Sequence, residues 1–213
     1  MSVVTKHQYV EKYPIKKTDK YLILGTIHPH VIEQFKLDFF YGNVGSFWNI
    51  LSEACSVELN DLNQILTFLA NHKIGISDMI LSCERGDMFE TRDVKLENLT
   101  FNIDLKQQIL NSDISTIFFT SSFNKNNAAK LFCQTFNIPI PKNWRNNYEF
   151  DIQLGNKQLK GIILFSPSGN ANRGIANTKL YKNQKSKYIN FKHPVKQFKI
   201  DFYKTKFYSQ LSE

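Results

Sequence analysis

Four side chains in the first half of the chain have the chemistry to handle a proton or a water molecule. They are His28, Asn43, Asp78 and Asp93. A neutral imidazole can take a proton from water and act as a general base, and a carboxylate can do the same. The amide of Asn43 can hold a water molecule or a carbonyl group. Structural roles stay open for His28 and for the two aspartates, which can be helix caps or turn acids.

The elements that must position these residues alternate along the chain. Strands are predicted over residues 21–25, 75–80, 115–120, 150–154 and 159–165, and Gly155-Asn156 is predicted to turn between the last two. Helices are predicted from Ser46 as N-cap through Cys55, from Asn60 or Asp61 as N-cap through Leu69, over 104–110 and 124–136, and after Pro194. Residues 85–98 are predicted to form an irregular loop. Helices between apolar strands predict a three-layer α/β/α fold in one domain, with a central, mainly parallel sheet of four to five strands.

Three polar segments leave strands of this sheet in the same direction. They cover residues 25–30, 120–124 and 166–173. In an open parallel sheet, ligands bind in the crevice beyond the carboxyl ends of the strands. These segments are therefore expected to form one binding site.

An aromatic segment over residues 39–51 follows the first of these loops. It runs through Phe40, Tyr41, Gly42 and Asn43 into Trp48 and a helix. Gly42 and Asn43 indicate a loop rather than a helix face at this point. A pocket with walls of backbone and planar rings suits a nucleobase, although one or both of Phe40 and Tyr41 can instead pack in the core.

Positive charge is concentrated at the C-terminus. The chain has a net charge of +8, and Asp201 is the one acidic residue between Lys179 and Lys206. Such a surface attracts phosphate backbones and displaces their counterions. Phosphate contacts are expected for Lys179, Lys182, Lys185 and Lys187. After Pro194, the alternative to phosphate contact is a helix whose lysines are only solvated. That helix would turn Val195, Phe198 and Phe202 towards the core.

The composition excludes several classes of protein. No apolar run approaches the roughly 20 residues that span a bilayer, and no apolar signal core follows Met1, which predicts a cytoplasmic protein. Cys55, Cys83 and Cys133 have no paired spacing, so we expect buried free thiols and no metal site, cofactor or disulfide. We expect a monomer.

In the order and spacing of its motifs, the chain resembles the uracil-DNA glycosylase superfamily, and most closely its mismatch-specific uracil/thymine and deoxyinosine glycosylase branch. The resemblance runs from about Tyr21 to Arg173. It rests on the Gly25 to Pro29 turn after the first strand, the aromatic segment 40–51, the Gly75-Ile76-Ser77-Asp78 segment and the late loop 166–173.

The resemblance implies that a damaged, mismatched or modified base is flipped out of DNA and its N-glycosidic bond is hydrolysed. Tyr41, with Phe40 as second choice, is implied to stack on the base. Further base contacts are implied for Thr26, Ile27, Ser121, Ser122, Asn124 and Ser166. DNA contacts are implied for Ser168, Gly169, Asn170, Asn172 and Arg173. Asn124 can equally cap the following helix, and 168–173 can be a plain surface turn.

Two positions depart from the family pattern. His28 stands where the family usually carries Asn or Asp before the proline, and Ser166 stands where relatives often have His or Asn. The departures favour either a glycosylase for an unusual base, such as a modified pyrimidine of phage DNA, or an inactive DNA-binding module. A nucleotide-binding hydrolase of flavodoxin-like build is a third hypothesis, which the sequence disfavours because no glycine-rich phosphate loop opens a helix.

Overall fold

The computed structural model describes residues 1–43 and 47–211. Eight strands lie in this part of the chain. They are β1 Val3–Lys6, β2 Tyr21–Gly25, β3 Ile74–Asp78, β4 Ile80–Arg85, β5 Glu97–Phe101, β6 Thr116–Phe119, β7 Glu149–Leu154 and β8 Lys157–Ile163.

Five of these strands form the central sheet, in the order β3-β2-β6-β8-β7. The first four are parallel to one another, and β7 pairs antiparallel with β8. The β7–β8 hairpin turns at Gly155, whose φ of 60° is readily adopted by glycine. The sheet has the predicted number of strands and the predicted, mainly parallel direction.

The helices that connect and cover these strands are mostly short. They are α1 Phe47–Cys55, α2 Leu62–Asn71, α3 Leu105–Leu110, α4 Ala128–Thr135, α5 Asn172–Ala176, α6 Lys179–Gln184, α7 Pro194–Tyr203 and α8 Ser209–Leu211, with a π-helical turn at Lys204–Tyr208 between the last two. Asp61 caps α2, as the sequence predicts, by accepting a hydrogen bond from the N–H of Gln64. The predicted cap Ser46 lies outside the described residues.

Adjacent residues of β6 show that both faces of the sheet are covered. Phe118 contacts Phe207 of the C-terminal π-helical turn, with ring centroids 4.5 Å apart. Phe119 points to the opposite face and contacts Phe132 of α4. Side chains alternate between faces along a strand, so these two contacts place helical layers on both sides of the sheet.

A second, three-stranded sheet corrects the prediction of an irregular loop over 85–98. Its order is β1-β4-β5, with antiparallel pairing, so Arg85 ends a strand and Glu97 and Asn98 begin another. The strands carry many charged or polar residues and pair with distant segments, which leaves no apolar run for a sequence pattern to reveal. Only the middle of the predicted loop is irregular, apart from a 3₁₀ turn at Asp93–Lys95.

The helix predicted from Asn124 begins four residues later. Residues 124–127 form turns, Asn126 has a φ of 58°, and α4 starts at Ala128. The hydroxyl of Ser121 accepts a 2.8 Å hydrogen bond from the N–H of Ala128. The preceding loop therefore supplies the cap, and Asn124 does not.

Aromatic side chains hold the basic C-terminal segment against the core. Tyr181 and Tyr188 are buried, and both contact the buried ring of Phe198. Phe202 is buried as predicted, whereas Val195 is only partly so. The three cysteines are free and buried, as expected. No helix in the described part of the chain is long and apolar enough to cross a membrane.

Candidate active site at the carboxyl edge of the sheet

Neighbouring strands β2 and β3 end with Gly25 and Asp78 side by side, because the two residues are partners in the parallel register. Asp78 is 5% exposed, and its Oδ2 accepts a 2.8 Å hydrogen bond from Nε2 of His7. Nδ1 of His7 accepts hydrogen bonds from the backbone N–H groups of Tyr9 and Val10. These contacts place the proton of His7 on Nε2, so a neutral imidazole orients the carboxylate.

Tyr41 lies over the same edge. Its Oη is 2.8 Å from Oγ1 of Thr120, directly after β6, and its ring stacks on Phe47 at 4.4 Å between centroids. A Cβ on Gly25 would collide with both the Tyr41 hydroxyl and Oδ1 of Asp78. Tyr41 has a φ of 53°, a strained conformation that costs about 1–3 kcal/mol and is often found at functional sites. A phenol and a carboxylate thus converge above Gly25.

A second carboxylate approaches from the 3₁₀ turn. Oδ2 of Asp93 accepts a 3.1 Å hydrogen bond from the hydroxyl of Thr26, the residue after β2. The amide of Asn126 holds this turn by donating a 2.9 Å hydrogen bond to the carbonyl of Asp93. Burial raises the pKa of Asp93 to about 6, and the charge of Asp78 adds to this effect. A carboxylate with a pKa near neutral is well suited to accept a proton at physiological pH.

His28 does not have the free nitrogen that a general base needs. Nε2 accepts a 3.1 Å hydrogen bond from the N–H of Gln8, and Nδ1 donates a 2.6 Å hydrogen bond to the carbonyl of Pro29. Burial lowers the pKa of the imidazole, which keeps it neutral. In this geometry His28 anchors the N-terminal segment to the β2 loop, and the predicted proton transfer to it has no acceptor atom.

Phe40 is also unavailable for its predicted contact. Its ring is 1% exposed and packs against His7 and Tyr9, while its carbonyl accepts a hydrogen bond from Nε1 of Trp48. Of the two candidate stacking residues, only Tyr41 is partly exposed. Ile27 packs partly buried against the hydrophobic core.

The predicted water-binding residue Asn43 is exposed at the end of the first described segment. It lies two residues after Tyr41 in the chain. The sequence prediction for Asn43 stays a prediction.

Arg85 connects the small sheet to this site. The side chain is 2% exposed and donates hydrogen bonds to Oγ1 of Thr5 and to the carbonyls of His28 and Glu90. Burial lowers the pKa of Arg85, and the charge of Asp93 partly offsets this effect. A buried cation near Asp93 favours the ionised carboxylate.

A cleft of about 850 Å³ adjoins this site between the ends of β6 and β8 and the helices α5 and α6. Six of the residues predicted to bind a base or DNA line it, namely Ser121, Ser122, Asn124, Ser166, Asn170 and Lys179. The cleft and the carboxylate site meet where Thr120, the partner of Tyr41, is followed by Ser121. Of the three segments that were predicted to form one site, 120–124 and 166–173 supply lining residues of this cleft, whereas no residue of 25–30 lines it.

The late loop reaches the surface beside this cleft. Ser168, Gly169 and Asn170 are exposed, and the Ser168 hydroxyl accepts a hydrogen bond from the N–H of Asn170. Arg173 is exposed on α5, whereas Oδ1 of Asn172 is enclosed and has no hydrogen-bond partner in the described part of the chain. These positions suit contacts with an extended ligand on the surface.

Lys199 of α7 holds this loop from below. The side chain is 2% exposed, and Nζ donates hydrogen bonds of 3.1 to 3.3 Å to the carbonyls of Ser166, Pro167 and Ser168. Burial lowers the pKa of Lys199 to about 8, and nearby Lys196 contributes. The ammonium group therefore fixes the loop through three acceptors.

The predicted phosphate contacts lie on an open surface. Lys179, Lys182, Lys185 and Lys187 are all exposed on α6 and the 3₁₀ turn that follows it. Two other lysines of the C-terminal segment are already engaged within the protein, because Lys206 forms an ion pair with Glu149 and Lys199 is buried. Within residues 1–43 and 47–211, no group of three His, Cys, Asp or Glu side chains is placed to hold a metal ion.

Sequence reasoning missed His7, Arg85 and Lys199, and it placed Thr120 in a site segment without giving it a role. His7 and Asp78 are 71 positions apart, and no motif marks His7. The position of Thr120 at the end of a predicted buried strand was a usable signal. The sequence around Lys199 does not distinguish it from the exposed lysines of the same segment.

The fold is similar to a known structure. The solution NMR structure of a putative uracil DNA glycosylase from Methanosarcina acetivorans aligns with a TM-score of 0.51 and 18% sequence identity, covering 99% of this chain and 100% of that one. The likeness is one of fold, and with the sheet and helices above it confirms the predicted α/β/α architecture. No protein-family model and no curated protein sequence matches the chain.

Proposed function

We propose that this chain is a monofunctional DNA glycosylase that flips out a base, hydrolyses its N-glycosidic bond and leaves an abasic site. The observation that carries the proposal is the meeting of Asp78, Asp93 and Tyr41 at the carboxyl edge of the sheet. The fold shared with the Methanosarcina acetivorans protein supports the reaction class. The protein acts as a monomer in the cytoplasm, without a metal or cofactor.

Tyr41 is the stacking ring in this proposal. Phe47 supports one face of the ring and Thr120 fixes its hydroxyl, so the ring is positioned before a base arrives. Flipping a base costs a few kcal/mol, and stacking returns about 1–3 kcal/mol per base. Because the ring is already fixed, it loses little conformational entropy on binding, and little of the stacking free energy is offset.

Asp93 is the general base, aided by Thr26. The carboxylate takes a proton from water as the water oxygen bonds to the anomeric carbon of the sugar. The glycosidic C–N bond breaks with its electron pair on the base, which is then protonated by solvent. Asp78, held by His7, stabilises the positive charge that develops on the sugar. Asn43 holds the water or a base carbonyl.

The cleft and the basic surface bind the rest of the substrate. Ser166 donates a hydrogen bond to the departing base, and Ser121, Ser122 and Asn124 contact its edge. Asn170 fills the space that the flipped nucleotide leaves, and Arg173 pairs with a phosphate or with the orphaned base. Lys179, Lys182, Lys185 and Lys187 follow the phosphate backbone.

The substrate is a modified pyrimidine, and the biological role is defence against phages that carry such bases. Support comes from His28 and Ser166, which replace the residues usual in the mismatch-specific and deoxyinosine branch that the sequence resembles. His28 also lacks a free ring nitrogen. A site changed at both positions is suited to a base other than uracil.

The test is incubation with duplexes that each carry one uracil, hypoxanthine, mismatched thymine or modified cytosine. Alkaline cleavage at abasic sites measures product. Wild-type protein is expected to cleave at least one duplex, Asp93→Asn and Asn43→Ala to be strongly impaired, and the exposed control Asp87→Asn to match wild type. Folded wild-type protein that releases no base from any duplex contradicts the proposal.

The alternative is a DNA-binding module that has kept the fold without the chemistry. The engaged nitrogens of His28 favour it. It predicts DNA affinity that falls with salt at a slope of about 0.9 per phosphate contact, and no abasic product. Replacing Lys182 and Lys185 by alanine is expected to reduce that slope under both proposals, so product formation alone separates them.

A further inference from the structure

The cleft beside Thr120 is much larger than a single-ring base requires. Its volume is about 850 Å³, within the range of roughly 300–1,000 Å³ that drug-sized ligands occupy. In the proposed function the base itself takes only the part of the cleft that is lined by Ser121, Ser122, Asn124 and Ser166. The cleft therefore has room for a further group on the substrate.

Its lining is rich in neutral groups that both donate and accept hydrogen bonds. Five asparagines contribute, including Asn127, Asn146 and Asn183, and the hydroxyl groups of Thr178 and three serines join them. No acidic side chain lines the cleft among the described residues. This many amides and hydroxyls suit a ligand that itself donates and accepts hydrogen bonds at several closely spaced atoms.

Planar rings complete the lining. Trp144, Tyr148 and Phe165 face the cleft, and the guanidinium of Arg145 lies 4.5 Å from the centre of the Trp144 ring. Trp144 packs further against Phe123, with centroids 5.2 Å apart. A fixed ring face beside hydrogen-bonding amides suits a compact group with C–H bonds on one face and hydroxyls around its rim.

We infer that this cleft binds an uncharged, hydroxyl-rich substituent, such as a hexose, carried by the substrate pyrimidine. The inference rests on the proposed function, since it extends the same site. The cleft begins at Ser121, next to the Thr120 hydroxyl that Tyr41 contacts. A pyrimidine stacked on Tyr41 directs a substituent from its ring edge into the cleft.

The inference is tested with three duplexes of identical sequence, carrying one cytosine with a glucosylated hydroxymethyl group, one hydroxymethylcytosine, or one uracil. Fluorescence anisotropy measures affinity and alkaline cleavage measures base release. Wild-type protein is expected to bind the glucosylated duplex at least about tenfold more tightly than the other two. Trp144→Ala and Asn146→Ala remove this preference and leave affinity for the uracil duplex within about twofold.

Asn143→Ala is the matched control, because Asn143 is exposed in the same loop and does not line the cleft. It is expected to retain the preference. Asn146 is exposed, so its replacement tests the cleft even if the loss of the buried Trp144 ring disturbs folding.

Equal affinity of the wild-type protein for all three duplexes overturns the inference. An equal loss of affinity for all three duplexes in the variants also overturns it, because the cleft would then bind the DNA strand itself. Release of uracil without any glucose preference leaves the proposed function standing and removes the inference. A glucose preference that the variants abolish, without base release from any duplex, supports the binding site and contradicts the glycosylase.

Discussion

His7 Nε2 donates a 2.8 Å hydrogen bond to Oδ2 of Asp78, and this bond ties the N-terminal segment to the end of β3. The imidazole lies inside the protein, and its second nitrogen accepts two backbone N–H groups. One side chain therefore orders both the carboxylate and the chain that covers it.

Replacing His7 by leucine is expected to destabilise the fold. The change leaves two backbone donors and a buried carboxylate without their partner, which costs about 1–3 kcal/mol for each unsatisfied buried group. Urea denaturation measures the loss. His193→Leu at an exposed position is expected to stay within about 0.5 kcal/mol of wild type. Equal stability of His7→Leu and wild type would show that the pair is not formed.

Gly25→Ala is expected to block the site. A Cβ collides with Asp78 Oδ1 and the Tyr41 hydroxyl, and such overpacking costs about 1–3 kcal/mol. A displacement of about 1 Å at the reacting groups lowers the rate of base release by roughly 10²-fold. Single-turnover kinetics measures that rate. Gly86→Ala, where a Cβ meets open space, is the control; a fully active Gly25→Ala would place the chemistry elsewhere.

Asp93 should impose a pH profile on base release. Because its pKa is raised to about 6, the rate is expected to rise as pH increases through 6 and to level off above 7. Asp93→Asn removes this limb and lowers the plateau by about 10²–10⁴-fold. A wild-type rate that is flat between pH 5 and 8 would be incompatible with a general base at this position.

The raised pKa of Asp93 also makes the stability of the fold depend on pH, whether or not the protein is an enzyme. The folded pKa of this carboxyl lies above the ordinary value of 3.8, so the protonated form favours the folded state. The stability that this group contributes is present below pH 4 and is lost as pH rises through 6. Asp93→Asn is therefore expected to raise the melting temperature at pH 7.5 and to lose that advantage below pH 4.

Lys199 is expected to control the late loop. Lys199→Met removes three hydrogen bonds to the carbonyls of Ser166 to Ser168, and a roughly tenfold weaker affinity for DNA is expected. Lys199→Arg should restore part of it, and the exposed Lys204→Met should match wild type. Since the pKa of Lys199 is about 8, wild-type affinity should also fall above pH 8 towards that of Lys199→Met. Affinity of Lys199→Met equal to wild type at pH 7 would contradict this role.

The pH dependence of stability that Lys199 causes has the opposite sign to that of a lysine in a salt bridge. The folded pKa of Lys199 lies below the ordinary 10.5, so the neutral amine favours the folded state. The contribution of this group to stability grows between pH 8 and 10.5. Comparison of wild type with Lys199→Met across this range measures it.

The central sheet was predictable because its strands are short apolar runs, such as Leu22 to Leu24 and Ile117 to Phe119, separated by helical patterns. The small sheet was not, because β1 and β5 carry only two apolar residues each and both pair with β4. Local sequence carries no signal for such long-range pairing.

At the site, residue types were easier to predict than their roles. Tyr41 lies in a loop, as Gly42 and Asn43 indicated, whereas Asp78 ends β3 two residues before the predicted strand end, and β4 begins at Ile80. His28 and Phe40 do not serve as predicted, because the backbone of Gln8 and the rings of His7 and Tyr9 occupy them. Those partners come from an N-terminal segment without a motif, and only the folded chain brings them to the sheet edge.

Mass spectrometry of a modified duplex after incubation tests the central claim most directly. The account predicts that wild-type protein produces a strand that has lost one base and gained water, together with the free base. Asp93→Asn should bind the duplex with unchanged affinity and leave its mass unchanged over the same time. An unaltered strand with wild-type protein, or equal conversion by Asp93→Asn, would contradict the account.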